Sequence, residues 1–480
     1  MRLLFPSFLM LVVFLNPLLA QSDEPLPESW TLQECVEYAL ENNVQVQSTL
    51  LQAQLNKNNL ESARWNYAPD LSLFSNTGWS FGLNIDPVTN IPTRNDRFTS
   101  SLNISSNWVI FDGGRKFNSI ARNNHDYLAA LYDLESIKND ISLNVTSAYL
   151  QIMLNKEILL IAIEQEGISQ LQVDQTRKLV EAGSAPRGDL LQFEAQLARD
   201  QQNTVSSRNT LLISKLQLAN LLQLTEPENF EISEPEPDLP GAGLLAYEPG
   251  QVYQTALENQ PNIKAAEERI ASSEESIDLN QGGYLPTVSL QGRINTIYSD
   301  QIVEASSTSV ITTPTWVYDD QGNPVDVPVT RTVPDGFERK DFNSQLGDNL
   351  NEFVGFNVSM PIFSQMQVKN NVQNAKIQYE ISQLQLEQEK NQLRQTIYQA
   401  HADAKASYNS LLAAEKSVKA SQESFDYARE RYELGAINQF DFENAKNSLA
   451  VAQSEMLRTK YDYIFKLKVL EFYLTNQINL

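Results

Sequence analysis

Two histidines, His125 and His401, and one cysteine, Cys35, are all the imidazole and thiol that the 480-residue chain offers. A metal centre needs nitrogen, sulfur or carboxylate ligands at characteristic spacing, and none can be built around groups so few and so far apart. No cofactor or metal is expected. Cys35 has no partner for a disulfide and reads as a small packing residue on a helix. No nucleophile–base constellation or phosphate-binding loop is present, and the carboxylates are scattered surface charge, which argues against an enzyme. Two aspartates stand out by position. Asp189 and Asp441 each fall six residues after a glycine, Gly183 and Gly435, at the start of a helical stretch. An acid in a first helical turn is favoured by the helix dipole, so the chemistry available there is electrostatic.

The elements that position those aspartates occur twice. Ala39-Leu40-Glu41-Asn42 returns as Ala256-Leu257-Glu258-Asn259, and Tyr67-Ala68-Pro69 as Tyr284-Leu285-Pro286, both at an offset of 217. Further on the offset is 252: Phe111 matches Phe363, Glu181-Ala182-Gly183 matches Glu433-Leu434-Gly435, and Leu197-Ala198 matches Leu449-Ala450. Ordered matches at two constant offsets mark a duplication with 35 extra residues between Pro286 and Phe363. The repeats are expected over 21–225 and 250–480, joined by a linker over 226–249.

Each repeat reads as helix, strand, strand, long helix, helix. The first helix opens at a capping box, Thr31 with Glu34, and runs to about Trp65. Two segments of period two follow, at about 70–84 and 98–111, and their counterparts fall at about 286–298 and 348–361. Leu73, Trp79, Leu102, Ile104 and Trp108 lie on apolar faces; Ser72, Asn76, Ser101, Asn103 and Asn107 lie on polar ones. The same alternation suits a soluble sheet with one wet face. It also suits membrane strands, which need about 9–11 residues when tilted. The stretch 299–347, rich in Ser, Thr, Pro and Asp, is expected to be a long outside loop.

The helices shift the balance. After Gly113-Gly114 no proline occurs until Pro186, so a helix over about 113–180 is expected, roughly 100 Å long at 1.5 Å per residue. Its counterpart covers about 364–434. Gly183 and Gly435 read as left-handed helix stops, with tips at about 181–188 and 435–438. Each tip leads into a helix of about half that length, so paired short helices would match one long one in a cylinder wall. The linker carries Pro227, Pro235, Pro237, Pro240 and Pro249 and is expected to be non-helical. Gly113 and Gly114 are expected to turn the chain from strand to helix. The second repeat has Gln365-Met366 there, which questions the symmetry of the two transitions.

Trp30-Thr31-Leu32, Ala39-Leu40-Glu41-Asn42-Asn43, the Tyr-x-Pro before each first strand, Phe111-Asp112-Gly113-Gly114-Arg115 and the paired tips resemble the TolC-like outer membrane factor family, over essentially the whole chain from about Trp30. The resemblance implies a mainly α fold with a membrane β-barrel: a homotrimer, four strands per chain in a 12-stranded barrel, continuous with a long periplasmic α-helical barrel. It implies passive conduction from an inner-membrane transporter and a periplasmic adaptor protein, in efflux or type I secretion. In such proteins the tips narrow the periplasmic end and dock the adaptor. That makes Gly183, Leu190, Gly435 and Phe442 docking candidates. Asp441, Asn444 and Asp189 become constriction candidates, because three copies of Asp441 around an axis would form an anionic ring. One point is independent of the family. Four strands cannot close a barrel, which needs about eight or more, so a membrane part must be shared between chains.

Charge and the N-terminus agree. With 36 Lys and Arg against 60 Asp and Glu, the formal charge of −24 disfavours nucleic acid as a partner, and the resemblance implies outer-membrane lipid as one. Arg2, the apolar run Leu3–Leu15 and Leu18-Leu19-Ala20 read as a signal peptide over 1–20, with cleavage before Gln21. Cys35 does not follow the apolar run, so no lipid anchor is indicated. The rival reading is a secreted or surface coiled-coil structural protein, which predicts sustained heptads with charged flanks. The long helices are instead rich in Ala, Ser, Gln and Asn, with leaky apolar stripes.

Overall fold

The computed structural model describes residues 29–85, 90–94, 96–224, 230–233 and 242–475. The expected signal peptide and most of the linker lie outside them. Contacts divide the chain into two compact units. One unit, formed by residues up to Asn43, 140–247 and 400 onward, is helical. The other, 44–139 with 248–399, holds the sheet and the helices that lead into it.

In the sheet unit, β1 (Ser72–Ser80), β4 (Arg97–Phe111), β5 (Thr287–Ser299) and β8 (Asn351–Ser359) form an antiparallel sheet in that order. Register keeps like faces together. Leu73 faces Ile104, Ile104 faces Ile294, and Trp108 faces Leu290, which faces Phe356. The first strand is shorter than expected. Gly82, at φ 108°, breaks it, and β2 (Leu83–Ile85) pairs instead with β3 (Pro92–Arg94). The stretch expected as a loop is an antiparallel ribbon, β6 (Val303–Tyr318) with β7 (Pro324–Arg339), followed by the short helix α7 (Phe342–Asp348). Its alternation is hidden because Thr occupies both faces and counts as polar, although its branched Cβ favours strands.

The first helix of each repeat is two helices. In the helical unit α1 spans Leu32–Asn42; α2, of the sheet unit, spans Val44–Trp65. In the second repeat α5 (Pro249–Asn259) precedes α6 (Pro261–Gln281). Asn43 (φ −66°, ψ 125°) and Gln260 (φ −68°, ψ 125°) are extended at the joints, and each N–H still donates to the carbonyl four residues back at 2.8 Å. Pro261 explains the second break, because a residue preceding proline is driven out of the helical region. Asn43 produces the same break without a proline.

The helical unit holds most of α3 (Arg115–Glu181), α4 (Arg187–Leu221), the later part of α8 (Gln367–Glu433) and α9 (Gln439–Thr475). The long helices α3 and α8 contain 67 residues each. The linker departs from its expected form at Ala242–Ala246, which makes a turn of 3-10 helix. This stretch lies between Pro240 and Pro249, and its Leu244 and Leu245 pack on the core cluster of Leu411, Tyr463 and Leu467. Burying two leucines offsets the ordering cost there.

Candidate channel tips and walls

The two tips have one geometry. Gly183 lies at φ 73°, its N–H donates to Val180 O at 3.0 Å, and Ser184 N–H donates to Leu179 O at 2.8 Å. At the second tip Gly435 lies at φ 71°, with Gly435 N–H to Tyr432 O at 2.9 Å and Ala436 N–H to Arg431 O at 2.8 Å. The paired bonds satisfy carbonyls that a helix end leaves free, and the left-handed residue favours glycine. Past the turns, Asp189 and Asp441 sit in the first turns of α4 and α9. Asn438 caps α9, its Oδ1 accepting from Asp441 N–H at 2.9 Å. Asp441 and Asn444 are exposed, whereas Asp189 and Leu190 are half-buried.

Phe442 must be reassigned. It is fully buried in a cluster with Phe425, Leu449 and Tyr432, stacked on the Tyr432 ring at 5.0 Å, so its side chain has no surface to offer a partner. The apolar groups exposed at this tip are Leu434 and Phe440. Burial raises the Tyr432 phenol above its ordinary value, and the charges of Asp189 and Glu443 add to the rise.

Beneath the tips lies a group that sequence reasoning missed. Lys446 on α9 is fully buried, and its ammonium donates to Asp200 Oδ2 of α4 at 2.9 Å and to Ser169 Oγ of α3. Ser169 donates to the same Asp200 oxygen, and Gln196 Nε2 donates to Asp200 Oδ1 at 2.9 Å. Glu443 Oε2 lies 3.5 Å from the ammonium. Burial raises the Glu443 carboxyl above its ordinary range, against the pull of Lys446. Three helices are thus pinned through one cation. A lysine among polar helical residues carries no sign of such burial, so only its spacing from Phe442 and Leu449 on the buried face of α9 could have pointed to it.

At the strand-to-helix junction Gly113 (φ 76°) and Gly114 (φ 82°) turn the chain into α3. A Cβ on Gly113 would meet Gly282 O at 2.4 Å, so the position is closed to other residues. The second repeat makes the same turn without glycine, for Gln365 (φ 50°) and Met366 (φ 67°) are left-handed too. The symmetry questioned by sequence therefore holds in the backbone, at a cost in strain. His125 Nδ1 lies 2.6 Å from Glu268 Oε2 in the sheet unit, and His401 belongs to the helical one. Among the described residues no group of His, Cys, Asp and Glu could hold a metal, and no helix is long and apolar enough to cross a membrane.

The sheet offers the other candidate surface. On its apolar side Val354, Phe356 and Val358 are mostly exposed. Aromatic rings gather near both ends: Trp79, Phe98, Tyr298 and Phe342 form a row with centroids 4.9–6.1 Å apart, and Trp108 Nε1 donates to Tyr67 O at 2.8 Å. On the polar side Asn103 faces Asn295, and the side-chain oxygens of both, with that of Asn107, lack a protein partner.

A sheet with one apolar side left exposed is the surface that a membrane-inserted sheet presents to lipid. The family model described as "Outer membrane efflux protein" matches residues 35–223 and 341–474. BepC, an outer membrane efflux protein of Brucella suis, is 20% identical over 440 residues, 91% of this chain and 83% of that protein. Among solved structures, CusC is similar at TM-score 0.71 and 17% identity, covering 93% of this chain and 91% of CusC. VceC of Vibrio cholerae is similar at 0.70 and 15%, covering 93% and 95%. The chain belongs to the outer membrane efflux protein family, is TolC-like in fold, and works in the outer membrane and periplasm as an efflux channel.

Proposed function

We propose that three copies of the chain form the exit duct of a tripartite efflux or type I secretion system, each giving β1, β4, β5 and β8 to one 12-stranded barrel. The duct conducts substrates passively from an inner-membrane pump and a periplasmic adaptor, and has no catalytic role. The observation that carries this reading is the open sheet: β1 and β8 are both edge strands, and one face is apolar and exposed. Four strands cannot close on themselves, so further copies must supply the rest. Phe98 and Trp108 stand ten residues apart on β4. That is about 33 Å along a strand and about 25 Å when tilted by about 40°, the height of a membrane barrel's apolar band. The asparagine oxygens without protein partners suit a water-filled interior.

The tips are assigned the periplasmic gate. Gly183, Leu190 and Gly435, with the exposed Leu434 and Phe440, form the surface proposed for the adaptor. Asp441 is proposed to line the constriction with Asn444, and Asp189 to lie further back. The assembly is tested by light scattering of the detergent-purified protein and by recording in planar bilayers. A protein mass of three chains with discrete conductance steps is expected; a water-soluble monomer without conductance contradicts the proposal.

A further inference from the structure

Between β5 and β8 the chain leaves the sheet along β6, turns at Asp319–Asn323 and returns along β7. The arms have 16 residues each, about 50 Å at roughly 3.3 Å per residue. A lone two-stranded ribbon is marginal in water, so something must hold its base and cover a face.

The base is pinned. The Gln345 side chain is buried, accepts from Ser299 N–H at 3.0 Å, and donates to Ser299 O at 3.0 Å and to Lys340 O at 2.9 Å. Lys340 pairs with Asp348, and Asp300 accepts from Phe98 N–H at 3.0 Å. The ribbon therefore springs from a fixed root on the last residues of β5.

Its β7 edge is blunted. Asp319 N–H donates to Asn323 O at 3.0 Å, which sets the phase of the ladder. Hydrogen-bonded and open rungs alternate in an antiparallel pair. Pro314, Pro324, Pro328 and Pro334 all fall on open rungs, where the backbone nitrogen points away from the partner arm. Three of them lie on β7, whose free edge is thereby blunted against another strand, whereas β6 carries Pro314 alone. On the β7 side a partner must meet a face.

One face is uncharged and β-branched over its outer rungs, where Thr313 faces Val329, Thr315 faces Val327 and Val317 faces Val325. The three β7 valines are 39–45% exposed. The reverse face carries Asp326 opposite Trp316, a charge that stays in water. Five residues per arm give a footprint about 17 Å by about 10 Å. Roughly 170 Å² is well below the roughly 800 Å² per partner of a free-standing interface. Such a face cannot recruit a separate protein, but it suits a neighbour already held by a larger contact.

We propose that the valine face packs against the same face of the ribbons of the other copies, forming a collar of three ribbons beyond the end of the barrel. The proposal rests on the trimeric barrel above. It is tested with Val327→Cys on the valine face and Thr312→Cys on the reverse, oxidised in the purified detergent-solubilised channel. Cys35 gives no background, since it is fully buried and burial pushes its thiol up to about 12. For Val327→Cys, disulfide-linked dimers are expected to approach about two-thirds of the chains, one pair per ring of three; Thr312→Cys should stay almost wholly unlinked. A three-chain mass by light scattering with no Val327→Cys dimers, or with equal linking at Thr312→Cys, overturns the collar. A one-chain mass instead overturns the trimer.

Discussion

Replacing Lys446 by methionine keeps the volume of the side chain and removes its charge. The ammonium is 1% exposed, Asp200 is 6% exposed and Glu443 is 12% exposed, so water cannot replace it. Asp200 keeps its bonds from Ser169 and Gln196 but loses its counter-charge, and Glu443 loses the only cation within 4 Å among the described residues. Removing one partner of a buried pair costs about 3–5 kcal/mol, since the remaining charge stays desolvated. At about 1.4 kcal/mol per decade, local opening of the tips should rise by roughly two to three and a half decades. Hydrogen exchange followed by mass spectrometry reads this directly in peptides covering Ser169, Asp200 and Lys446, with α6 as an internal reference. The double variant Lys446→Met with Asp200→Leu should recover much of the protection, because neither charge is then stranded. If Lys446→Met exchanges within about threefold of the wild type (below about 0.7 kcal/mol), the cation does not pin the three helices.

Three further outcomes follow from particular residues. Gln365→Gly and Met366→Gly should each stabilise the protein by about 1 kcal/mol by relieving a left-handed backbone, whereas Gly113→Ala should destabilise it, since its Cβ meets Gly282 O at 2.4 Å; thermal unfolding in detergent compares them. Burial raises the Glu443 carboxyl, so the folded tip holds that proton more firmly than the unfolded chain and loses stability as pH rises from the ordinary glutamate value through the raised one. Glu443→Gln should therefore be the more stable form at neutral pH, with the difference shrinking toward acid in melting curves taken across that range. Asp441→Asn should reduce block of the channel by divalent cations in planar bilayers, and unchanged block would remove Asp441 from the constriction.

The duplication and the long helices are legible in the sequence because proline and glycine punctuate it so sparsely. Gly183 and Gly435 mark the tips, and the structure repeats one hydrogen-bond pattern at both. Strand faces are legible for the same elementary reason, since residues two apart share a side. Three features escaped. Asn43 breaks a helix without a proline, and only its counterpart Gln260-Pro261 carries a visible cause. The ribbon hides behind threonines and prolines whose placement is meaningful only once its register is known. Lys446 and Phe442 illustrate the limit for sites, because burial decides both and depends on helices far away in sequence: the lysine is a structural pin, and the phenylalanine a core residue.

Cysteine accessibility along β8 in membranes separates a lipid-facing sheet from a water-covered one. In a lipid-facing sheet Val354, Phe356 and Val358 lie against lipid and Gly355 and Asn357 toward water, since alternate residues of the strand take opposite sides. Single cysteines at Gly355 and Asn357 should react with a water-soluble maleimide applied to the reconstituted channel, and those at Val354, Phe356 and Val358 should be protected until detergent or denaturant is added. Equal labelling at all five positions would contradict a lipid-facing sheet and, with it, the channel.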